Sequence, residues 1–164
     1  MLRLTIAAAC AALLLSPLAA VAQTPAPPMY GTPITLAAAK KAIDAAEAEA
    51  KKNNWPMVFV VVDSGSRLVA LARMDTAQLG SIDIAMGKAM TANNLRRPTK
   101  ALQDGIAQGG ANLRMLAAPG VTPLEGGVPI MADGKVIGAI GVSGAASDQD
   151  AQCAMAGAAA AIAK

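Results

Sequence analysis

The sequence contains no histidine, only two cysteines and only three aromatic residues among its 164 positions. Each shortage removes a class of chemistry. Without an imidazole there is no serine-histidine-acid or cysteine-histidine triad, no histidine general base near neutral pH, and no histidine ligand for zinc or haem iron. Two cysteines are too few for the thiolate sets that hold structural zinc or an iron-sulfur cluster. Tyr30, Trp55 and Phe59 offer little surface for stacking on bases. Charge is sparse as well, at 15% of residues with a formal net charge of +3, which is too small an excess to attract nucleic acid or an anionic membrane. No nucleic-acid partner is expected.

What the chain has in quantity is small apolar residues, with 54% of the sequence hydrophobic. The first stretch reads as a targeting segment. Arg3 is followed by an apolar run from Leu4 to Leu15, then Ser16-Pro17, then Ala20-Val21-Ala22, which is the basic, apolar, small-x-small order of a secretory signal peptide. Residues 1–22 are therefore expected to be removed, and the protein to be exported, either periplasmic or secreted. The apolar run is shorter than the ~20 residues that cross a bilayer, so no membrane span is expected in the mature chain. Cys10 leaves with the signal. Cys153 is then the sole thiol, flanked by Ala154, Met155 and Ala156, and is expected to be buried and inert. Residues 23–33, with Pro25, Pro27, Pro28 and Pro33, read as an extended linker to one domain over residues 34–164.

Within that domain the periodicity changes several times. Leu36, Ala39, Ile43, Ala46 and Ala50 recur at spacings of three and four, predicting a helix from Thr35 as N-cap to Lys52. Met57 to Val62 is a continuous apolar, largely β-branched run, as in a strand covered on both faces. Asp63-Ser64-Gly65-Ser66 supplies a turn, and Arg67 to Met74 returns as the second arm of a hairpin. Ser81 to Asn94 reads as a helix capped by Ser81, Pro98 to Gln108 as another, and Ala111 to Ala117 as a short helical piece. Val128 to Ala132 and Lys135 to Val142 flank Asp133-Gly134, a strong hairpin signal because both turn positions need positive φ. Gly138 and Gly141 leave room for a close backbone, helix or ligand. Ser147 and Asp150 give the S-x-x-D spacing of a capping box for a last helix through Ala163. The fold class predicted is α+β, an antiparallel sheet of hairpins flanked by helices. The 32 alanines after residue 22 favour close helix contacts and close subunit contacts.

Six separated motifs occur in one order: V-V-D-S-G-S-R-L (Val61 to Leu68), R-M-D (Arg73 to Asp75), K-A-M-T-A (Lys88 to Ala92), R-R-P-T (Arg96 to Thr99), L-E-G-G-V-P-I (Leu124 to Ile130) and G-A-I-G-V-S-G (Gly138 to Gly144). In this order the chain resembles the GlcG/HbpS-like, or haem-degrading domain, family over essentially all of Thr35 to Ala163. The resemblance implies an antiparallel sheet flanked by helices, assembly into a homo-oligomer, and haem or another tetrapyrrole as ligand, in sensing, storage or degradation. Related domains accompany corrinoid metabolism.

If haem is the ligand, its iron needs a donor other than histidine. Thr99 is the first candidate, with Met74, Met86, Met90, Tyr30 and Lys88 as others. Arg96 and Arg97 beside Thr99 suit propionate carboxylates, and Arg73 and Lys88 are further cofactor-binding candidates. Each also has a plain structural reading: Thr99 starts a helix, Met86 and Met90 pack in the core, and the basic side chains face solvent. Two other functions stay open. One is a binding protein or enzyme for a small organic acid, using Asp63, Asp75 and Asp83 with the glycine segments and Arg73. The other is a non-catalytic oligomeric accessory protein.

Overall fold

The computed structural model describes residues 26–163, so the expected signal peptide and its cleavage point lie outside the described residues. Helix α1 (Leu36–Lys52) starts where the side-chain oxygen of Thr35 accepts a hydrogen bond from the Ala38 N–H at 3.2 Å. It precedes the hairpin β1 (Val58–Asp63) and β2 (Leu68–Arg73). Helices α2 (Ser81–Leu95) and α3 (Lys100–Ala107) follow, then a 3₁₀ segment over Gly110–Ala117. A second hairpin, β3 (Gly127–Ala132) and β4 (Lys135–Ser143), leads to helix α4 (Ser147–Ala161). The strands form one antiparallel sheet in the order β2-β1-β4-β3. The α+β architecture expected from the sequence is the one observed.

Strand β1 lies in the middle and is buried on both faces, as its unbroken apolar run requires. Phe59 and Val61 pack with Ile140, Val142, Cys153 and the alanines of α1 and α4. Val58, Val60 and Val62 point the other way, onto Ala85, Ala89 and Ala92 of α2. The sheet is therefore covered by α1 and α4 on one side and by α2 on the other. Both turns obey their residue chemistry. Asp63 Oδ1 accepts from the N–H groups of Gly65 at 2.8 Å and Arg67 at 2.9 Å, while Asp133 and Gly134 both take positive φ, 48° and 72°.

Three expectations change on contact with the structure. Ser81 and Ser147 do not cap their helices; each is already the first helical residue, with Gly80 and Ala146 as N-caps. The carboxylate of Asp150 and the amide of Gln149 instead reach back to the N–H groups of Ala145 and Ala146, both at 3.1 Å. The proline-rich segment is fastened to the sheet over its last residues. Where β1 ends, Met29, Gly31 and Ile34 continue the β4 ladder through backbone bonds to Val136 and Ile137 of 2.8 to 2.9 Å, including a parallel bridge from Tyr30 to Val136. A lone strand end exposes unpaired backbone groups, and this segment satisfies them.

Small residues set the distance between layers. At Gly141 an added Cβ would collide with the Ala85 carbonyl and the Ala89 backbone of α2, so the helix rests directly on the strand backbone. Gly141→Ala is expected to destabilise the protein by about 1–3 kcal/mol or more through overpacking. Gly80→Ala, where nothing lies within 4 Å, is expected to stay close to neutral. Urea denaturation of the two variants checks the contrast.

Candidate functional site

Lys88 lies between Ala85 and Ala92 on the sheet-facing side of α2, the side that helical spacing makes continuous. Its ammonium donates to Asp150 Oδ2 at 2.7 Å and to the Val142 carbonyl at 3.1 Å. The two side chains are 2% and 3% exposed, so this is a buried ion pair joining α2, β4 and α4. Burial pushes the Asp150 carboxyl up, against the pull of Lys88 and of the Ala145 and Gly144 N–H groups. Room for the pair comes from Gly126, which has φ 123°; a Cβ there would lie 2.8 Å from Asp150 Cβ and 2.9 Å from Lys88 Nζ. Lys88 and Asp150 line a cleft of about 160 Å³ between the first turns of α2 and α4, together with Ser81, Ser143, Ser147 and Gly144.

The R-R-P-T residues sit on the connection from α2 to α3 and do three different things. Arg96 adopts a left-handed conformation at the C-cap of α2, with φ 52°. Its guanidinium lies 5.3 Å from the centroid of the Tyr30 ring and donates to the Pro28 carbonyl at 3.1 Å. The Tyr30 hydroxyl in turn donates to the Asn93 and Asn94 carbonyls, both at 3.1 Å. Arg96 and Tyr30 thus pin the N-terminal segment to the end of α2. Arg97 is exposed and lines a cleft of about 130 Å³ with Leu102, Gly105, Asn112, Arg114 and Met115. Thr99 is fully buried. Its hydroxyl accepts from the Gly127 N–H at 2.8 Å and donates to the Gly127 carbonyl at 3.4 Å, clamping α3 to the start of β3. That oxygen faces protein backbone, away from solvent.

Arg73, at the end of β2, is exposed and lines a separate shallow cleft of about 270 Å³ with Glu47, Lys51, Met74 and Asp75. The Met74 sulfur accepts from the Met57 N–H at 3.4 Å, and Met86 and Met90 pack against the α2 side of the core. Asp63 is spent on its turn, and Asp83 is exposed. The five cofactor candidates therefore divide among three places: Arg96, Arg97 and Thr99 on one loop, Lys88 inside, Arg73 at a far strand end. Asp150, Arg114 and Met115 belong to these places and escaped the sequence reading. Asp150 carried a signal in its S-x-x-D spacing, but one that also describes an ordinary cap. Among the described residues no cluster of three or more cysteine, aspartate and glutamate side chains is placed to hold a metal ion.

The geometry has known counterparts. The family model of haem-degrading HbpS-like proteins matches residues 34–159. Protein GlcG of Escherichia coli K12 is 45% identical over 101 residues, which is 62% of this chain and 74% of that protein. The structure of protein ORFY from Klebsiella pneumoniae has a TM-score of 0.78 at 30% identity, covering 87% of this chain and 99% of that one. The PduOC structure, a haem complex, has a TM-score of 0.72 at 29% identity, covering 79% and 95%.

Two buried groups make the arrangement testable. Removing one partner of the ion pair strands a charge in the interior, so Lys88→Met is expected to lose about 3–5 kcal/mol. Lys88→Met combined with Asp150→Leu should recover most of that loss in chemical denaturation, because no charge is left unpaired. Cys153 is fully buried, and burial, with Glu49 and Asp150 nearby, pushes its thiol from 9.0 up to about 12. The unfolded chain then ionises first. Stability from this group is complete below pH 9.0 and falls as the pH climbs towards about 12. At pH 8 the native thiol should resist an aromatic disulfide reagent and react at once in denaturant.

Proposed function

The chain belongs to the family of HbpS-like haem-degrading proteins, and on that premise we propose that it binds haem or a related tetrapyrrole at the cleft beside R-R-P-T. The carrying observation is the pairing of two exposed cationic side chains, Arg97 and Arg114, in one cleft with Leu102 and Met115. Guanidinium groups match carboxylates in geometry and charge, so these two suit a pair of propionates. Exposed Leu113 and Leu116 on the same 3₁₀ segment extend the apolar surface a porphyrin edge needs. The haem complex of PduOC, a relative of the same fold, adds weight to the choice of ligand.

The donors present fit the edge of the ring better than they fit its iron. The chain has no imidazole, the Cys153 thiol is buried and held protonated, and the Thr99 oxygen is occupied by Gly127. Met115 is the soft side chain at the cleft, and we assign it as the protein donor in place of Thr99. Bound haem would bring redox and oxygen chemistry; Arg97 and Arg114 would hold and orient it, and the leucines would keep water off its edge. The cleft of about 130 Å³ is smaller than the roughly 300–1,000 Å³ that enclosed ligand sites offer. A second copy of the chain covering the open face completes the site, which is the part we give to homo-oligomerisation. Export in the manner of a signal-peptide protein, and a role in haem sensing, storage or degradation, complete the proposal.

Haemin titration followed at the Soret band tests the reading. A saturable shift is expected, weakened about tenfold or more by Arg97→Ala and by Arg114→Ala, as for loss of a charge-assisted hydrogen bond. Met115→Ala should change the band position. A shift no larger than that given by an unrelated protein would contradict haem binding, and a shift indifferent to all three substitutions would contradict the site. Haemin-dependent sedimentation at two protein concentrations checks the second copy.

A further inference from the structure

The cleft between α2 and α4 holds more hydrogen-bond donors than the protein satisfies. Ser81 is 2% exposed and Ser143 is 5% exposed, yet neither hydroxyl has a hydrogen-bond partner among the described residues, and both line the cleft. Lys88 lines it too. Its ammonium has three N–H groups, of which two are taken by Asp150 and Val142. Asp150 accepts from Lys88 at Oδ2 and from Ala145 at Oδ1 and makes no bond to either serine hydroxyl. The first turn of α4, a 15-residue helix, opens at Ser147 on the same cleft, but Asp148 and Asp150 stand in that turn and Asp150 and Gln149 take the Ala145 and Ala146 N–H groups, so the donors left for a ligand are the two hydroxyls and the ammonium. The serine hydroxyls meet no protein acceptor and stay reachable from the cleft, since Asn93 Oδ1 is the one fully enclosed side-chain polar atom without a partner among the described residues; two hydroxyls beside an ammonium are complementary to an oxyanion.

Size and rim narrow the class. About 160 Å³ is room for about five waters at ~30 Å³ each, enough for a carboxylate on a stem of two or three carbons. Ile84 and Leu124, 37% and 42% exposed, stand at the rim, an apolar edge that inorganic phosphate would leave unused and a short carbon stem would cover. We propose that this cleft binds a short-chain carboxylate, with its oxygens held by the Ser81 and Ser143 hydroxyls and the third N–H of Lys88. The site is separate from the arginine cleft and stands whether or not haem binds there.

Ligand-observed NMR titration, at fixed ionic strength and pH 7, of protein purified from expression of the full chain tests it with acetate, propanoate, 2-hydroxypropanoate and inorganic phosphate. Saturable carboxylate binding is expected, weakened about tenfold or more in Ser81→Ala and in Ser143→Ala. Far-ultraviolet circular dichroism and urea denaturation of the same two variants, unchanged from the parent chain, show that they are folded, and a haemin titration they share with the parent keeps the two sites apart. Tighter binding of phosphate with the same serine dependence would retain an oxyanion site and overturn the carboxylate assignment. No saturable binding by any of the four probes, or binding that both serine variants keep, would overturn the site itself.

Discussion

The Lys88 to Asp150 ion pair is the constraint on which the rest of the arrangement turns. Two charges taken out of water lose hydration, and only close pairing with further hydrogen bonds offsets that loss. The chain meets most of the requirement at 2.7 Å, with the Val142 carbonyl accepting a second N–H of Lys88 and the Ala145 N–H donating to Asp150, and leaves the third N–H of Lys88 without a protein acceptor. Meeting it ties α2 to the end of β4 and the first turn of α4, more than 50 residues further along the chain. Gly126 has to be glycine for the same reason, since it borders both charged groups. The pair therefore explains why position 126 of the L-E-G-G-V-P-I segment is glycine and why a lysine sits on the inner face of a helix.

A second constraint is thickness. Large side chains are concentrated in β1 and its neighbours, whereas the helices present alanine to the sheet and to each other. Gly157 of α4 brings that helix against the Ala42 carbonyl and Ala46 of α1, and Gly141 does the same for β4 against α2. Close packing of this kind tolerates no added methyl group, because interiors are filled to crystal-like density. It also leaves little space inside the sheet layers for a large ligand. The clefts described lie at helix ends and on the connection after α2, where backbone groups and polar side chains converge.

Much of the fold was legible in the sequence because periodicity and turn chemistry are local. The run Met57 to Val62 announces a central strand, Asp133-Gly134 a type I′ turn, and the spacing of Ala39, Ile43, Ala46 and Ala50 the buried face of α1, whereas Leu36, read as part of that face, is exposed. Helix starts were displaced by one residue at Ser81 and Ser147, because a serine before an apolar run looks alike at N-cap and at the first helical position. The candidate site was less legible. A lysine on a helix is usually solvated, and only the three-dimensional approach of α4 makes Lys88 an interior charge. Thr99 sits in a motif beside two arginines, but its partner Gly127 is 28 residues away and invisible to local spacing. Arg114 and Met115 lie in a 3₁₀ segment without strong periodicity, and the fastening of Met29 to Ile34 depends on where β1 happens to end.

The most direct test of the buried ammonium and its unsatisfied donor is ¹⁵N-detected NMR of the lysine side chains at neutral pH. Lys88 is predicted to give one ammonium signal with slow proton exchange, set apart from the exposed lysines, that moves when a carboxylate is added. Lysine signals that all exchange at the rate of solvated side chains, with none responding to the anion, would contradict the account at its centre.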